Sequence, residues 1–176
     1  DSIDEFVSYL NETNLSISSK IEPSFFETHP YLIKNEPSLI EYACFYHSVR
    51  IFNYLKTVKA ELSPNLWMYS IHGKSYEIIA ILEDLNIVPS DSTYEKCFLE
   101  AIKCHHNEIA KYIQINLLES ENFNEDTIDS IYKSNNFLFF PQKSINFYRI
   151  YHLHNEKLVN LFLTKNDYDD KSLEFE

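Results

Sequence analysis

The chain has 176 residues with 27 acidic against 15 basic side chains, a formal net charge of -12 with neutral histidines, and a surface of that sign argues against nucleic acid as a partner. No run reaches the roughly 18 consecutive apolar residues of a membrane span, and the opening residues Asp1 to Glu5 are acidic where a signal peptide needs Lys or Arg. The single glycine, Gly73, set against an average usage of about 7%, excludes Rossmann fingerprints, Walker-type phosphate loops and nucleophile elbows, whose tight turns and close approaches require glycine.

Three cysteines, Cys44, Cys97 and Cys104, are odd in number and too few for a disulfide framework, which fits a reducing, cytoplasmic compartment. At the start, Ser2-x-x-Glu5 forms a capping box, and Ile3, Phe6, Val7 and Leu10 share one helical face. Residues 1–36 are therefore expected to form an N-terminal helical cap or partial repeat. Its Glu5-Phe6-Val7 string copies the second-helix pattern described next, as though residues 1 to 20 finish a repeat whose first half is missing. Residues 23 to 36 are expected to add a short helix.

Between residues 37 and 118 one pattern occurs three times. Leu39-Ile40-Glu41-Tyr42-Ala43-Cys44, followed by Val49-Arg50-Ile51-Phe52 and Leu55, matches Leu66-Trp67-Met68-Tyr69-Ser70-Ile71, followed by Tyr76-Glu77-Ile78-Ile79 and Leu82. From Ala43 to Ser70 the offset is 27; from Ser70 to Ala101, in the copy that starts at Cys97 and ends at Ile113, it is 31. Each copy predicts two short helices. The first pairs a bulky residue with a small one three positions on (Ile40/Ala43, Trp67/Ser70, Phe98/Ala101), and the second carries an adjacent apolar pair plus one more three residues later. Neither helix can bury its stripe alone, so stacked hairpins are expected to share one core. Pro37 and Pro64 stand at helix starts, where a missing N–H costs nothing.

These copies resemble ankyrin repeats, with the family's alanine position at Ala43, Ser70 and Ala101, and its Glu-Ile-Val signature at Arg50-Ile51-Phe52, Glu77-Ile78-Ile79 and Glu108-Ile109-Ala110. More narrowly, Ser38-Leu39-Ile40-Glu41-Tyr42-Ala43 is similar to the degenerate arrays of some protozoa. The resemblance implies an all-α, ankyrin-like solenoid of stacked helix-turn-helix repeats, here with short or missing β-hairpin fingers because the family's Thr-Pro-Leu-His and Gly-Ala-Asp segments are absent. Its Gly-His turn is replaced by His47-Ser48, Lys74-Ser75 and His105-His106, with Gly73 one residue early; histidine tolerates left-handed backbone better than lysine does. Beyond the three copies, residues 119–142 are expected to be a helical insertion, 143–165 a degenerate C-terminal repeat (Phe147 to Tyr151, then Lys157-Leu158-Val159), and 166–176 an acidic tail.

Catalytic chemistry finds no support. Cys44 and Cys97 fall at core positions of the repeat, and the acidic pairs Glu119/Glu121 and Asp169/Asp170 fall where nothing buries them. The consecutive Cys104-His105-His106, even with Cys97, lack the Cys-x2-4-Cys or His-x3-5-His spacing of zinc sites, so neither metal nor cofactor is expected. Trp67 is expected in the core. The resemblance places a partner-facing edge one residue before and two to three after the alanine position: Tyr42, Phe45, Tyr46, Tyr69, His72, Glu100, Lys103, Cys104, Arg149 and His152. Clustered aromatics anchor protein interfaces; against that stands the reading in which the 23 to 36 insert covers Phe45 and Tyr46. The expected function is a non-catalytic protein-protein interaction module, the partner being another protein or a segment of the parent chain, with a structural spacer in a longer solenoid as the rival.

Overall fold

The computed structural model describes residues 1–22, 24–118 and 125–139, and among these the fold is all-helical, with no strand and one isolated antiparallel bridge between Lys20 and Ser38. Two compact units divide the chain, 1–122 and 123–176. No helix among the described residues is long and apolar enough to cross a membrane.

In the first unit α1 (Ile3–Thr13) begins where the Ser2 hydroxyl accepts a hydrogen bond from the Glu5 amide, and it stops as Asn14 turns left-handed. The short α2 (Pro30–Asn35) starts with Pro30 at a position that needs no N–H, while His29 Nδ1 caps it by accepting from the Tyr31 amide at 3.3 Å. Three helix pairs follow: α3 (Leu39–Phe45) with α4 (Val49–Thr57), α5 (Leu66–His72) with α6 (Tyr76–Asp84), and α7 (Glu95–Lys103) with α8 (Asn107–Asn116). Each first helix packs on its own second helix and on the next first helix, α3 on α5 and α5 on α7; α1 packs on α4.

The sequence pattern is also the burial pattern. Ile40, Trp67 and Phe98 are equivalent and buried, as are Ala43, Ser70 and Ala101, then Leu55, Leu82 and Ile113. The small residue lets neighbouring first helices approach; the large ones stabilise by roughly 1.5–3 kcal/mol each through removal of apolar surface from water. Ser70, the polar member of its series, returns its hydroxyl hydrogen to the Leu66 carbonyl at 2.7 Å, so no donor is stranded.

One turn geometry closes every pair. His47, Lys74 and His105 are left-handed (φ 53, 52 and 55°), and the residue after each donates back to the small position: Ser48 to Ala43, Ser75 to Ser70, His106 to Ala101, at 2.8–2.9 Å. This six-to-one bond, together with the inner bonds from His47 to Cys44, Lys74 to Ile71 and His105 to Ile102, satisfies the last carbonyls of each first helix. Lys59 and Asn86 repeat the device after α4 and α6, with Ala60 bonded to Leu55 and Ile87 to Leu82. The connection before α7 is longer, and Trp67 pins it: its indole Nε1 donates to the Ile87 carbonyl at 2.6 Å and its ring meets Tyr94 edge-on at 5.1 Å.

In the second unit, α9 (Glu125–Lys133) buries Thr127, Ile131 and Tyr132, with Asn136 buried ahead of a 3-10 turn at Phe137–Phe139. The expected fourth copy at 143–165 and the tail at 166–176 lie outside the described residues.

Candidate functional site

Because α3, α5 and α7 pack side by side, the residues flanking the small position line up as one edge across successive pairs. At the α3 end Tyr42 and Phe45 are half-buried and Tyr46 is 50% exposed. At the α7 end Lys103 is exposed and bonds Glu100 at 3.3 Å. Arg149 and His152, expected on the same edge, lie outside the described residues.

Residues 24–36 run across the α3–α5 part of this edge as a strap. The Glu27 carboxylate accepts from the Tyr42 hydroxyl at 3.1 Å, the Tyr46 hydroxyl at 3.0 Å and the His29 amide at 2.9 Å. Those donors, the His29 amide first, hold its pKa below the ordinary carboxylate value despite some desolvation. Next along the strap, the His29 ring meets Phe45 at 4.6 Å, and Tyr31 lies edge-on to Tyr69 at 5.2 Å and tilted over His72 at 4.0 Å. Burial, with Glu100 and Glu41 nearby, pushes the Tyr31 phenol up to about 12.

Three residues are therefore less open than a partner-facing edge implies: His72, whose side chain is 9% exposed under Tyr31; Tyr69; and Phe45, for which the alternative of a covering 23 to 36 insert holds. Tyr69 is 2% exposed rather than presented to solvent, because Tyr31 closes over the gap that the small Ala43 and Ser70 leave between α3 and α5. Phe45 is covered by His29, whereas Tyr46, also bound to the strap through Glu27, keeps half its surface. Glu27, His29 and Tyr31 belong to this site and were not singled out from sequence: the strap has no helical periodicity at residues 24–29, and the only local signal is the His29-Pro30 helix start.

Where α5 ends beside α7, His72, Glu100 and Cys104 converge, their ligand-type atoms all within 4.8 Å of one another. His72 Nδ1 is 3.5 Å from Cys104 Sγ, and Nε2 is 3.1 Å from Glu100 Oε1. That second contact is one of charge only, since the carboxylate stands off the line along which a ring N–H donates and Nε2 has no hydrogen bond. Burial alone would lower the imidazole's basicity; Cys104 and Glu100 outweigh it and raise His72 to about 9. Glu100 in turn is lowered, by His72 first and also by Lys103.

The remaining thiols are core groups. Burial raises Cys44, and raises Cys97 to about 12, so neither offers a thiolate near neutral pH. His105 is exposed in its turn, and His106 Nε2 lies 3.4 Å from the His72 carbonyl oxygen. Comparison of the chain with protein-family models, with curated proteins and with solved structures finds no match.

Proposed function

We propose that the chain is a non-catalytic protein-interaction module of the ankyrin-repeat type, which binds a short peptide segment of a partner along its first-helix edge. One observation carries the reading: the edge already holds such a segment, the chain's own residues 24–36, by a carboxylate between two tyrosine hydroxyls and by two ring contacts further along. The ligand chemistry follows from that mode of binding. A partner segment supplies an acidic side chain to Tyr42 and Tyr46, then flat aromatic or imidazole rings toward Phe45, Tyr69 and His72. The exposed Tyr46 and Lys103 extend the contact beyond the strap. Phe25 and Phe26, 97% and 90% exposed on the strap itself, offer apolar surface that a partner covers.

The test uses a strap-released variant, Glu27→Ala/His29→Ala/Tyr31→Ala, its helicity checked by circular dichroism, and a fluorescent peptide of residues 24–36. The released variant is expected to bind the peptide more tightly than the intact chain does, and a peptide with Glu27→Gln to bind more weakly. A folded, released variant with no affinity for the peptide overturns the reading and favours a spacer whose helix pairs only stack on further segments. Lysate capture then looks for a partner held by the wild type and lost from a folded Tyr42→Phe/Tyr46→Phe variant.

A further inference from the structure

His72, Glu100 and Cys104 are a thiol, an imidazole and a carboxylate brought together by two helices. Glu100 and Cys104 are four residues apart, so the end of α7 presents both on one face, and His72 reaches them from the last turn of α5. The His72 side chain is 9% exposed and its ring is held on several sides: Tyr31 at 4.0 Å, Phe45 stacked at 5.7 Å and His29 at 5.6 Å. Its Nε2 is buried, makes no hydrogen bond and stands 3.1 Å from the Glu100 carboxylate, close enough for both atoms to meet one ion.

We propose that His72, Glu100 and Cys104 form a binding site for a zinc-class divalent transition-metal ion that ties the end of α5 to α7. The donor set is right for that class: a soft thiolate and an imidazole exclude magnesium and calcium, and borderline ions accept sulfur, nitrogen and oxygen together. The spacing fits as well. Two donors, each about 2.0 Å from a tetrahedral ion, stand a little over 3 Å apart, and Nε2 and Oε1 are 3.1 Å apart and off the hydrogen-bond line. Cys104, at the C-cap of α7 and partly exposed, brings its sulfur in by a side-chain rotation, and binding releases two protons to solvent, one from Cys104 Sγ and one from His72 Nε2. Lys103 holds the other carboxylate oxygen at 3.3 Å, which leaves Oε1 as a single ligand. Three protein ligands leave a fourth position for water. This set is distinct from the consecutive Cys104-His105-His106 run, whose spacing is unsuitable; it requires the register that puts α5 beside α7.

The experiment titrates the reduced full chain with cobalt(II), which gives a thiolate-to-metal charge-transfer band when a cysteine sulfur is bound, and then displaces it with zinc. The expected result is a band that saturates at one equivalent, disappears on zinc addition, and is absent from Cys104→Ser and strongly weakened in Glu100→Gln. Both variants sit at partly exposed positions, and their metal-free circular dichroism is expected to match the wild type, with a somewhat lower melting temperature because His72 loses a partner. Zinc is expected to raise the melting temperature of the wild type and leave Cys104→Ser unmoved. Absence of the band in the folded wild type overturns the site, and so does its persistence in Cys104→Ser. Peptide binding by the strap-covered edge is measured separately, so failure of either proposal leaves the other standing.

Discussion

At Gly73 an added Cβ would run into the Cys44 carbonyl oxygen and lie 2.6 Å from that of Phe45, and both obstacles are backbone. Gly73 itself has an ordinary φ of -74°, so the residue is glycine for closeness between α3 and α5, and Lys74 takes the left-handed turn with φ 52°. The two neighbours therefore respond in opposite directions to substitution. Gly73→Ala is expected to destabilise by about 1–3 kcal/mol, the usual range for overpacking a tight contact. Lys74→Gly removes a left-handed cost of about 1–2 kcal/mol and adds about 0.5–1 kcal/mol of glycine entropy. Its expected net gain is about 0–1.5 kcal/mol by those same terms. Urea unfolding of both variants checks this; a destabilised Lys74→Gly would mean that the lysine side chain contributes more than its backbone strain costs. The sequence showed that glycine was missing from the turn, which is a local property. It could not show why Gly73 survives one residue earlier, because the crowding comes from carbonyls almost thirty positions away, on another helix.

The strap is the element that the sequence described least. Helix pairs announce themselves by spacing, since burial of one face repeats with the helical period; residues 24–29 have no period, and their place depends on Glu27 finding two tyrosine hydroxyls, one on α3 and one at its C-cap. That contact makes strap docking sensitive to pH. Glu27 is held below its ordinary value of 4.5, so its contribution is fully present above that pH and is lost as pH falls through the lowered folded value. The strap is thus expected to loosen in acid while the helix pairs persist. Hydrogen exchange or limited proteolysis at residues 24–36, followed from neutral pH to below 4.5, reads this directly. Glu27→Gln should remove most of the pH dependence in that window; a strap equally protected at both ends of the range contradicts the assignment.

At the scale of the first unit, each helix pair leans on its sequence neighbours, and α5 packs on α3, α6 and α7 and is also covered by Tyr31 of α2. Stability in such an array is a sum of local and nearest-neighbour contributions. Native-state hydrogen exchange is therefore expected to be slowest in α5, intermediate in α3 and α7, and fastest in α1, which packs on α4. Uniform protection from α1 to α8 would indicate one cooperative block instead. This level was the most legible in the sequence: the 27- and 31-residue offsets are the same intervals that separate Ala43, Ser70 and Ala101 in the buried core. The strap has one further effect on how the unit meets anything outside it. Being tethered, it competes for the edge at an effective concentration on the order of millimolar, as short flexible linkages do. A free peptide making only the same contacts must approach that concentration to displace it. The edge then ignores dilute, weak ligands and answers to ones that are clustered, or that grip more surface than residues 24–36 do.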